Sequence, residues 1–93
     1  MDTDNVAHST VHFSGHVQGV GFRYAVLQVA RGFEVRGFAR NLADGRVLVE
    51  AEGERQEIDA FIRAIEESMA GYIRKMERTD DVRPPSLSGF LIR

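Results

Sequence analysis

The sequence contains no cysteine and only two prolines among its 93 residues. Without cysteine the chain has no disulfide framework, no thiolate zinc site and no thiol nucleophile. It also lacks any apolar run of the ~18 residues that a transmembrane helix requires, and its polar, acidic start is unlike a signal peptide. We therefore expect a small cytoplasmic domain without membrane contacts, whose chemistry comes from ordinary side chains and the backbone.

The charge balance shows no basic excess, since the formal net charge is −2 at pH 7. A general nucleic-acid-binding protein normally carries a clear positive excess. Phe13, Phe38 and Tyr72 could suggest an RNA-binding sheet, but no basic aromatic motif accompanies them, so ordinary packing is favoured and no nucleic-acid partner is expected. A chain of this length buries one hydrophobic core, which predicts a single domain, expected to be a monomer.

Apolar residues alternate with a period of two along parts of the chain and follow a helical period along others. The predicted strands are 10–17, 34–40, 46–52, 72–79 and 89–93, and the predicted helices are 22–33 and 54–69. Because each element has one apolar side, the best burial is an α+β two-layer sandwich of the ferredoxin-like βαββαβ kind, an antiparallel sheet with two helices on one face. Residues 1–8 are expected to be a flexible lead-in to a domain that spans 9–93.

Three histidines, His8, His12 and His16, recur at a spacing of four residues. On a helix this spacing would put them on one face, but here they fall at the first predicted strand. Residues four apart in a strand are separated by about 13 Å, whereas zinc needs each ligating nitrogen within about 2.1 Å. We therefore predict exposed strand histidines, no metal site and no cofactor.

The segment that joins the first predicted strand to the first helix is more informative. It consists of Gln18, Gly19, Val20, Gly21, Phe22 and Arg23. Its glycines permit backbone geometry that is closed to other residues, and the N-terminus of a helix presents unpaired N–H groups to anions. Arg23 in the first turn can bind the same anion through two parallel hydrogen bonds. From this motif alone a plain turn with a solvated arginine is favoured, because such turns are common.

Asn41 lies where the second predicted strand meets a hairpin that contains Asp44-Gly45. Taken alone, such a residue is usually an Asx-turn former. In the predicted topology, however, the loop after the first strand and the end of the second strand can converge at one end of the sheet. An amide there could hold a water molecule beside a bound phosphate.

Two longer motifs resemble the acylphosphatases, a family of small enzymes that hydrolyse the carboxyl–phosphate bond of acyl phosphates. The first is Gly15-His-Val-Gln-Gly-Val-Gly-Phe-Arg23 and the second is Gly37-Phe-Ala-Arg-Asn41, and the resemblance covers nearly all of residues 10–93. It implies that Arg23 and the backbone N–H groups of the 18–23 loop bind the substrate phosphate and that Asn41 orients the attacking water. The implied reaction is metal-independent hydrolysis of a small-molecule acyl phosphate to a carboxylate and inorganic phosphate.

The chemistry of such a reaction agrees with the residues present. An acyl phosphate expels a carboxylate whose conjugate acid has a pKa of about 4, so there is little need for a general acid or a covalent nucleophile. Catalysis then depends on positioning and on stabilising charge over the phosphoryl oxygens. Two alternatives stay open, a non-catalytic phosphate- or anion-binding regulatory module and the domain that opens a larger carbamoyl-transferring maturation protein. The length of the chain favours a free-standing enzyme.

The chain departs from the family pattern at three places. Phe13 stands where an aliphatic residue is usual, which is expected to change packing rather than chemistry. Glu34 stands where family members often have glycine, and a positive φ there would cost about 1 kcal/mol. The segment 72–85 matches the family poorly, so no substrate preference that depends on it can be inferred.

Overall fold

The computed structural model describes residues 5–93, which form one five-stranded sheet and two helices. The strands are β1 (Val6–Gly15), β2 (Val35–Asn41), β3 (Val47–Gly53), β4 (Ile73–Arg83) and β5 (Phe90–Ile92), and the helices are α1 (Phe22–Ala30) and α2 (Arg55–Ser68). Across the sheet the strands lie in the order β4-β1-β3-β2-β5. Neither helix within residues 5–93 is long and apolar enough to cross a membrane.

Both helices pack on one face of the sheet, where the alternating apolar side chains of the strands meet the apolar stripes of the helices. The buried side chains at this interface include Val11, Phe13, Val47, Val49, Ala51, Phe22, Val26, Ile58, Phe61, Ile62 and Ile65. The rings of Phe13 and Phe22 have centroids 5.2 Å apart, so the unusual aromatic residue of β1 fills the core next to the start of α1. The predicted ferredoxin-like α+β fold is confirmed.

The sheet is mixed rather than wholly antiparallel, which corrects one part of the prediction. β1 pairs with β3 and β4, and β3 pairs with β2, in antiparallel fashion, but β5 runs parallel to β2. β4 and β5 lie at opposite edges of the sheet, so residues 84–89 cross it before β5 begins. Periodicity predicts where strands lie along the chain but not which strands become neighbours. Because the chain crosses the sheet after β4, β5 is added at the far edge and runs parallel to β2.

Residues 84–89 cross the face that carries no helix, where they contact the buried carboxylate of Glu52. The N–H groups of Ser86 and Leu87 donate to this carboxylate at 3.2 and 2.9 Å, and Nε of Arg36 donates at 3.2 Å. Burial raises the pKa of Glu52, but the hydrogen bonds from Leu87, Ser86 and Arg36 outweigh it and hold the pKa below its ordinary value of 4.5. The ionised form of Glu52 therefore fastens the crossing segment to the sheet.

The first strand begins earlier than the sequence predicts. β1 starts at Val6, so the expected lead-in over residues 1–8 is wrong from residue 6 onward, and residues 1–4 lie outside the described part of the chain. Ala7 pairs with Gly53 of β3 on one side and with β4 on the other. Residues 6–9 form a strand because both neighbouring strands provide hydrogen-bond partners, which the local sequence pattern does not reveal.

The histidines of β1 differ in exposure, and one of them contradicts the prediction of exposed side chains. His8 is only 1% exposed, and its Nε2 lies 2.9 Å from Oε1 of Glu50. His12 is half-buried, and His16, just after the strand, is exposed and stacks on Tyr72. His8 lies on the helix-free face beside Glu52, and its Nδ1 is 3.9 Å from Oε2 of that carboxylate. The glutamates that it contacts belong to β3, more than 40 residues away in the sequence, so no local pattern predicts its burial.

Glu34 takes an ordinary backbone conformation, because no non-glycine residue in the described part of the chain has a positive φ. α1 ends at Ala30, before this position, and the N–H of Glu34 donates to Oε1 of Glu57 in α2 at 2.8 Å. The strain considered for a glutamate at this place in the family pattern is therefore absent.

Replacing Glu52 with glutamine should lower the free energy of unfolding by about 2 kcal/mol near neutral pH, because hydrogen bonds to an ionised group are stronger than those to an amide. Since the pKa of Glu52 is lower in the folded state than its ordinary value of 4.5, its stabilisation is present above that value and is lost as the pH falls towards the folded-state pKa.

Urea unfolding curves at several pH values would check this. The difference in the free energy of unfolding between the wild type and the variant should shrink as the pH is lowered from about 6 to about 3. Glu66→Gln, at an exposed position of α2, is the matched control and should unfold like the wild type. A deficit that is the same at every pH would contradict a role for the ionised carboxylate.

Candidate active site

One end of the sheet brings together the loop after β1, the start of α1, and the ends of β2 and β5. A cavity of about 180 Å³ opens there. It is lined by Val17, Gly19, Gly21, Phe22, Arg23, Tyr24, Asn41 and Ile92. The two predicted side chains, Arg23 and Asn41, thus lie at one cavity although 18 residues separate them in the sequence.

The backbone of the loop takes the geometry that its two glycines permit. Gly19 has φ of 79° and Gly21, the N-cap of α1, has φ of 76°. These values fall in the left-handed region that side chains with a Cβ rarely adopt. A Cβ at either glycine would meet no atom within 4 Å, so glycine is needed for its backbone angles and the space beside the loop stays open.

The start of α1 directs unpaired N–H groups towards this space. The first intrahelical bond runs from the N–H of Ala25 to the carbonyl of Gly21 at 2.9 Å, which leaves the N–H groups of the preceding residues without helical acceptors. The N-cap is a glycine, and no side chain caps the helix. A helix start of this kind, with a positive dipole end and free donors, favours a bound anion.

Arg23 contributes a guanidinium from the first turn of α1. It is half-buried, and its Nη1 lies 3.5 Å from the main-chain oxygen of Arg93, a long contact that is its one hydrogen bond within residues 5–93. Arg93 itself is held by a bond from its N–H to Ala39 and by its guanidinium 4.2 Å from the centre of the Phe38 ring. Most N–H donors of Arg23 are therefore available to a ligand in the cavity.

Asn41 is the last residue of β2 and is exposed at the cavity. The hairpin that follows is stabilised by another residue, since Asp44 accepts from the N–H of Arg46 at 3.1 Å and from its Nε at 2.8 Å. The backbone N–H and the guanidinium of Arg46 hold the pKa of Asp44 below its ordinary value. The Asx-turn contact in this hairpin is therefore made by Asp44, and the turn does not depend on the amide of Asn41.

Gln18 has a role that the sequence did not reveal. Its Nε2 donates to the carbonyl oxygen of Leu42 at 2.9 Å and to that of Arg46 at 3.0 Å. The side chain thus joins the loop before α1 to the hairpin that carries Asn41. Gln18 and Val20, both named in the predicted phosphate loop, do not line the cavity with the other residues. The acceptors lie 24 and 28 residues away, so no local signal could have indicated this bond.

A larger cavity, of about 480 Å³, opens at the opposite end of β2 and β3. Its lining includes Arg36 and Arg55. Arg36 is bound to Glu52, and Arg55 contacts Asp80 at 3.1 Å, so both guanidinium groups already have carboxylate partners. The smaller cavity is the better candidate, because it combines free backbone donors with an arginine that lacks such a partner among residues 5–93. Nowhere in that range are three His, Asp or Glu side chains grouped closely enough to hold a metal ion.

The chain is similar to proteins of one family over almost its whole length. The acylphosphatase family model matches residues 9–92. An acylphosphatase of Anaeromyxobacter sp. strain Fw109-5 is 52% identical over 58 residues, or 62% of each chain, and one of Methanospirillum hungatei JF-1 is 46% identical over 79 residues, or 85% of each. The crystal structure of acylphosphatase from Bacillus subtilis matches with a TM-score of 0.84 at 27% identity, covering 94% of this chain and 98% of that one.

Proposed function

The chain belongs to the acylphosphatase family, and on this basis we propose that the cavity between the 18–23 loop and Asn41 is the site at which it hydrolyses acyl phosphates. The observation that supports this site most directly is that a guanidinium with free donors and a carboxamide line the same small cavity. Phosphoryl transfer to water needs little more than a charged clamp and a positioned nucleophile.

The phosphoryl group would bind at the start of α1. Backbone N–H groups of the 18–22 loop, whose residues Gly19, Gly21 and Phe22 line the cavity, would donate to its non-bridging oxygens together with the guanidinium of Arg23. Negative charge is spread over these oxygens in the transition state. The left-handed angles of Gly19 and Gly21 expose these N–H groups before the substrate arrives, so little reorganisation is needed. A bidentate guanidinium contact adds both charge and orientation.

The water molecule would be held by the amide of Asn41. Its carbonyl oxygen can accept a hydrogen bond from the water, which directs a lone pair of the water oxygen at phosphorus. As the new P–O bond forms, the P–O bond to the acyl group breaks and its electron pair leaves with the carboxylate. Because that carboxylate is stable without a proton, no residue has to act as a general acid, and the water proton passes to the phosphate or to solvent.

The proposal is tested by incubating the purified chain with acetyl phosphate or benzoyl phosphate in the presence of a metal chelator and following phosphate release. Release above that of a heat-inactivated sample is the expected result. Phosphate binding by titration calorimetry without any turnover would instead identify a non-catalytic anion-binding module. Turnover that disappears when the chelator is added would contradict the metal-independent mechanism.

Gln18→Glu should lower kcat by about tenfold, because a carboxylate of the same shape cannot donate to the carbonyls of Leu42 and Arg46 and repels both. The hairpin, and Asn41 with it, would then be less well placed against the loop. Steady-state kinetics with acetyl phosphate would measure this. Gln56→Glu, an exposed change of the same type in α2, should leave kcat unchanged. An unaltered kcat in the Gln18 variant would show that the bridge does not position Asn41.

We further propose that the enzyme is a cytoplasmic monomer that acts on small-molecule acyl phosphates. Arg23 and Asn41, the two side chains to which the mechanism assigns a role, line the same cavity of one chain, so the mechanism requires no residue of a second copy. Light scattering coupled to gel filtration and cell fractionation would test these two statements.

A further inference from the structure

The mouth of the proposed active-site cavity has an aromatic side chain that the mechanism above does not use. Val17 and Phe22 form its floor, at 1% and 2% exposure. Tyr24, in contrast, lines the same cavity and is 61% exposed. It follows directly after Arg23, the residue that would hold the phosphate, so its ring lies next to the proposed phosphate site.

The volume of the cavity limits how much of a substrate it can enclose. Its volume of about 180 Å³ lies below the roughly 300–1,000 Å³ of pockets that enclose a drug-sized ligand. A phosphoryl group and the attacking water take up much of that space. A bulky acyl group therefore extends to the mouth, against the side chains that line it there.

The geometry of in-line displacement indicates which side chain at the mouth the acyl group would contact. In-line displacement places the leaving carboxylate on the side of phosphorus opposite to the water. Asn41, which would hold the water, comes from the sheet, and the exposed Ile92 comes from the neighbouring strand β5, in register with Ala39 of β2. Tyr24 belongs to α1, so it lines the cavity from the helix layer and not from the sheet.

We propose that the ring of Tyr24 is the surface on which the acyl group of the substrate packs, so that the enzyme prefers acyl phosphates with an aromatic or large apolar acyl group to acetyl phosphate. This inference rests on the proposed function. Offset or edge-to-face contact between aromatic rings adds to the effect of apolar burial. For a ring that is half covered by the acyl group, the two effects together should raise kcat/KM by about five- to tenfold, where tenfold corresponds to about 1.4 kcal/mol.

The test compares kcat/KM for benzoyl phosphate and acetyl phosphate in the wild type and in Tyr24→Ala. The variant should lose about tenfold with benzoyl phosphate and less than about twofold with acetyl phosphate. Because each substrate is compared with itself, differences in intrinsic reactivity cancel. Inhibition by inorganic phosphate should not change, since phosphate does not reach the ring. Tyr24→Phe should behave like the wild type, because it keeps the ring and removes only the hydroxyl.

Two further variants separate this assignment from its alternatives. Leu91→Ala removes an exposed apolar side chain from the opposite face of β5 and should alter neither substrate. In Ile92→Ala, the ratio of kcat/KM for benzoyl phosphate to kcat/KM for acetyl phosphate should stay near that of the wild type. Equal losses with both substrates in Tyr24→Ala, or a change of the ratio in Ile92→Ala alone, would overturn the proposal. Failure of the wild type to hydrolyse either substrate would instead overturn the proposed function.

Discussion

Replacing Arg23 with alanine should reduce kcat/KM for acyl phosphates by about 10³- to 10⁴-fold and should abolish competitive inhibition by inorganic phosphate. The guanidinium is the one cationic side chain that lines the proposed cavity in residues 5–93, and no Asp or Glu side chain of that range pairs with it. The loss is expected in both binding and turnover, because the phosphoryl oxygens carry charge in the ground state as well as in the transition state. Initial rates with and without added phosphate would measure both.

Two controls make this result specific to the guanidinium. Arg23→Lys keeps the charge but cannot form two parallel hydrogen bonds, so its activity should lie between those of the alanine variant and the wild type. Arg31→Ala removes the same side chain from an exposed position just beyond the last residue of α1 and should retain full activity. Undiminished inhibition by phosphate in Arg23→Ala would contradict the proposed clamp.

Asn41→Ala should reduce kcat by about 10²- to 10³-fold, the range seen when one oriented polar contact to the reacting atoms is removed. Binding of inorganic phosphate should change by less than about threefold, because the loop and Arg23 remain in place. The exposed position of Asn41 at the end of β2 and the independent Asp44–Arg46 contact in the hairpin predict that the variant folds normally. Turnover rates and the inhibition constant of phosphate, measured on the same preparation, provide the comparison.

The two variants are most informative as a pair. Arg23→Ala should lose phosphate binding and Asn41→Ala should keep it. This result would identify Arg23 as the residue that holds the phosphoryl group and would separate its role from that of Asn41, which would hold the water. Full turnover in Asn41→Ala would contradict the water-orienting role. Ala43→Ser, at an exposed position two residues further along the chain, is a suitable control for changes in the hairpin itself.

Much of the fold was accessible from the sequence because its signals are local. The alternation around Val11 and Phe13 predicts the buried face of β1, and the 3.6-residue period from Ile58 to Ile65 predicts the buried stripe of α2. The Asp44-Gly45 pair predicts the hairpin between β2 and β3, where Gly45 has φ of 95°. Each of these depends on neighbours within a few residues, which is the range over which dihedral preferences and side-chain periodicity act.

The site was accessible in part. That the loop before α1 and the end of β2 meet at one end of the sheet follows from the predicted topology, and the structure places Arg23 and Asn41 at one cavity there. Their roles in binding and catalysis remain proposals that rest on the family and on this geometry. The bridge made by Gln18 and the exposed ring of Tyr24 carried no signal in the sequence, since a glutamine in a loop and a tyrosine in a helix are ordinary.

The sequence alone indicates where most of the strands and helices lie, which of their faces are apolar, and that a glycine-rich turn leads into a helix with an arginine in its first turn. These are properties of short stretches of chain. Four features depend on the fold as a whole: the parallel direction of β5 beside β2, the contact of residues 84–89 with Glu52, the burial of His8, and the bond from Gln18 to the hairpin 24 and 28 residues away. Each of these contacts joins residues that are far apart in the sequence. They form only when the whole chain packs and brings the two segments together, so short stretches of sequence do not predict them.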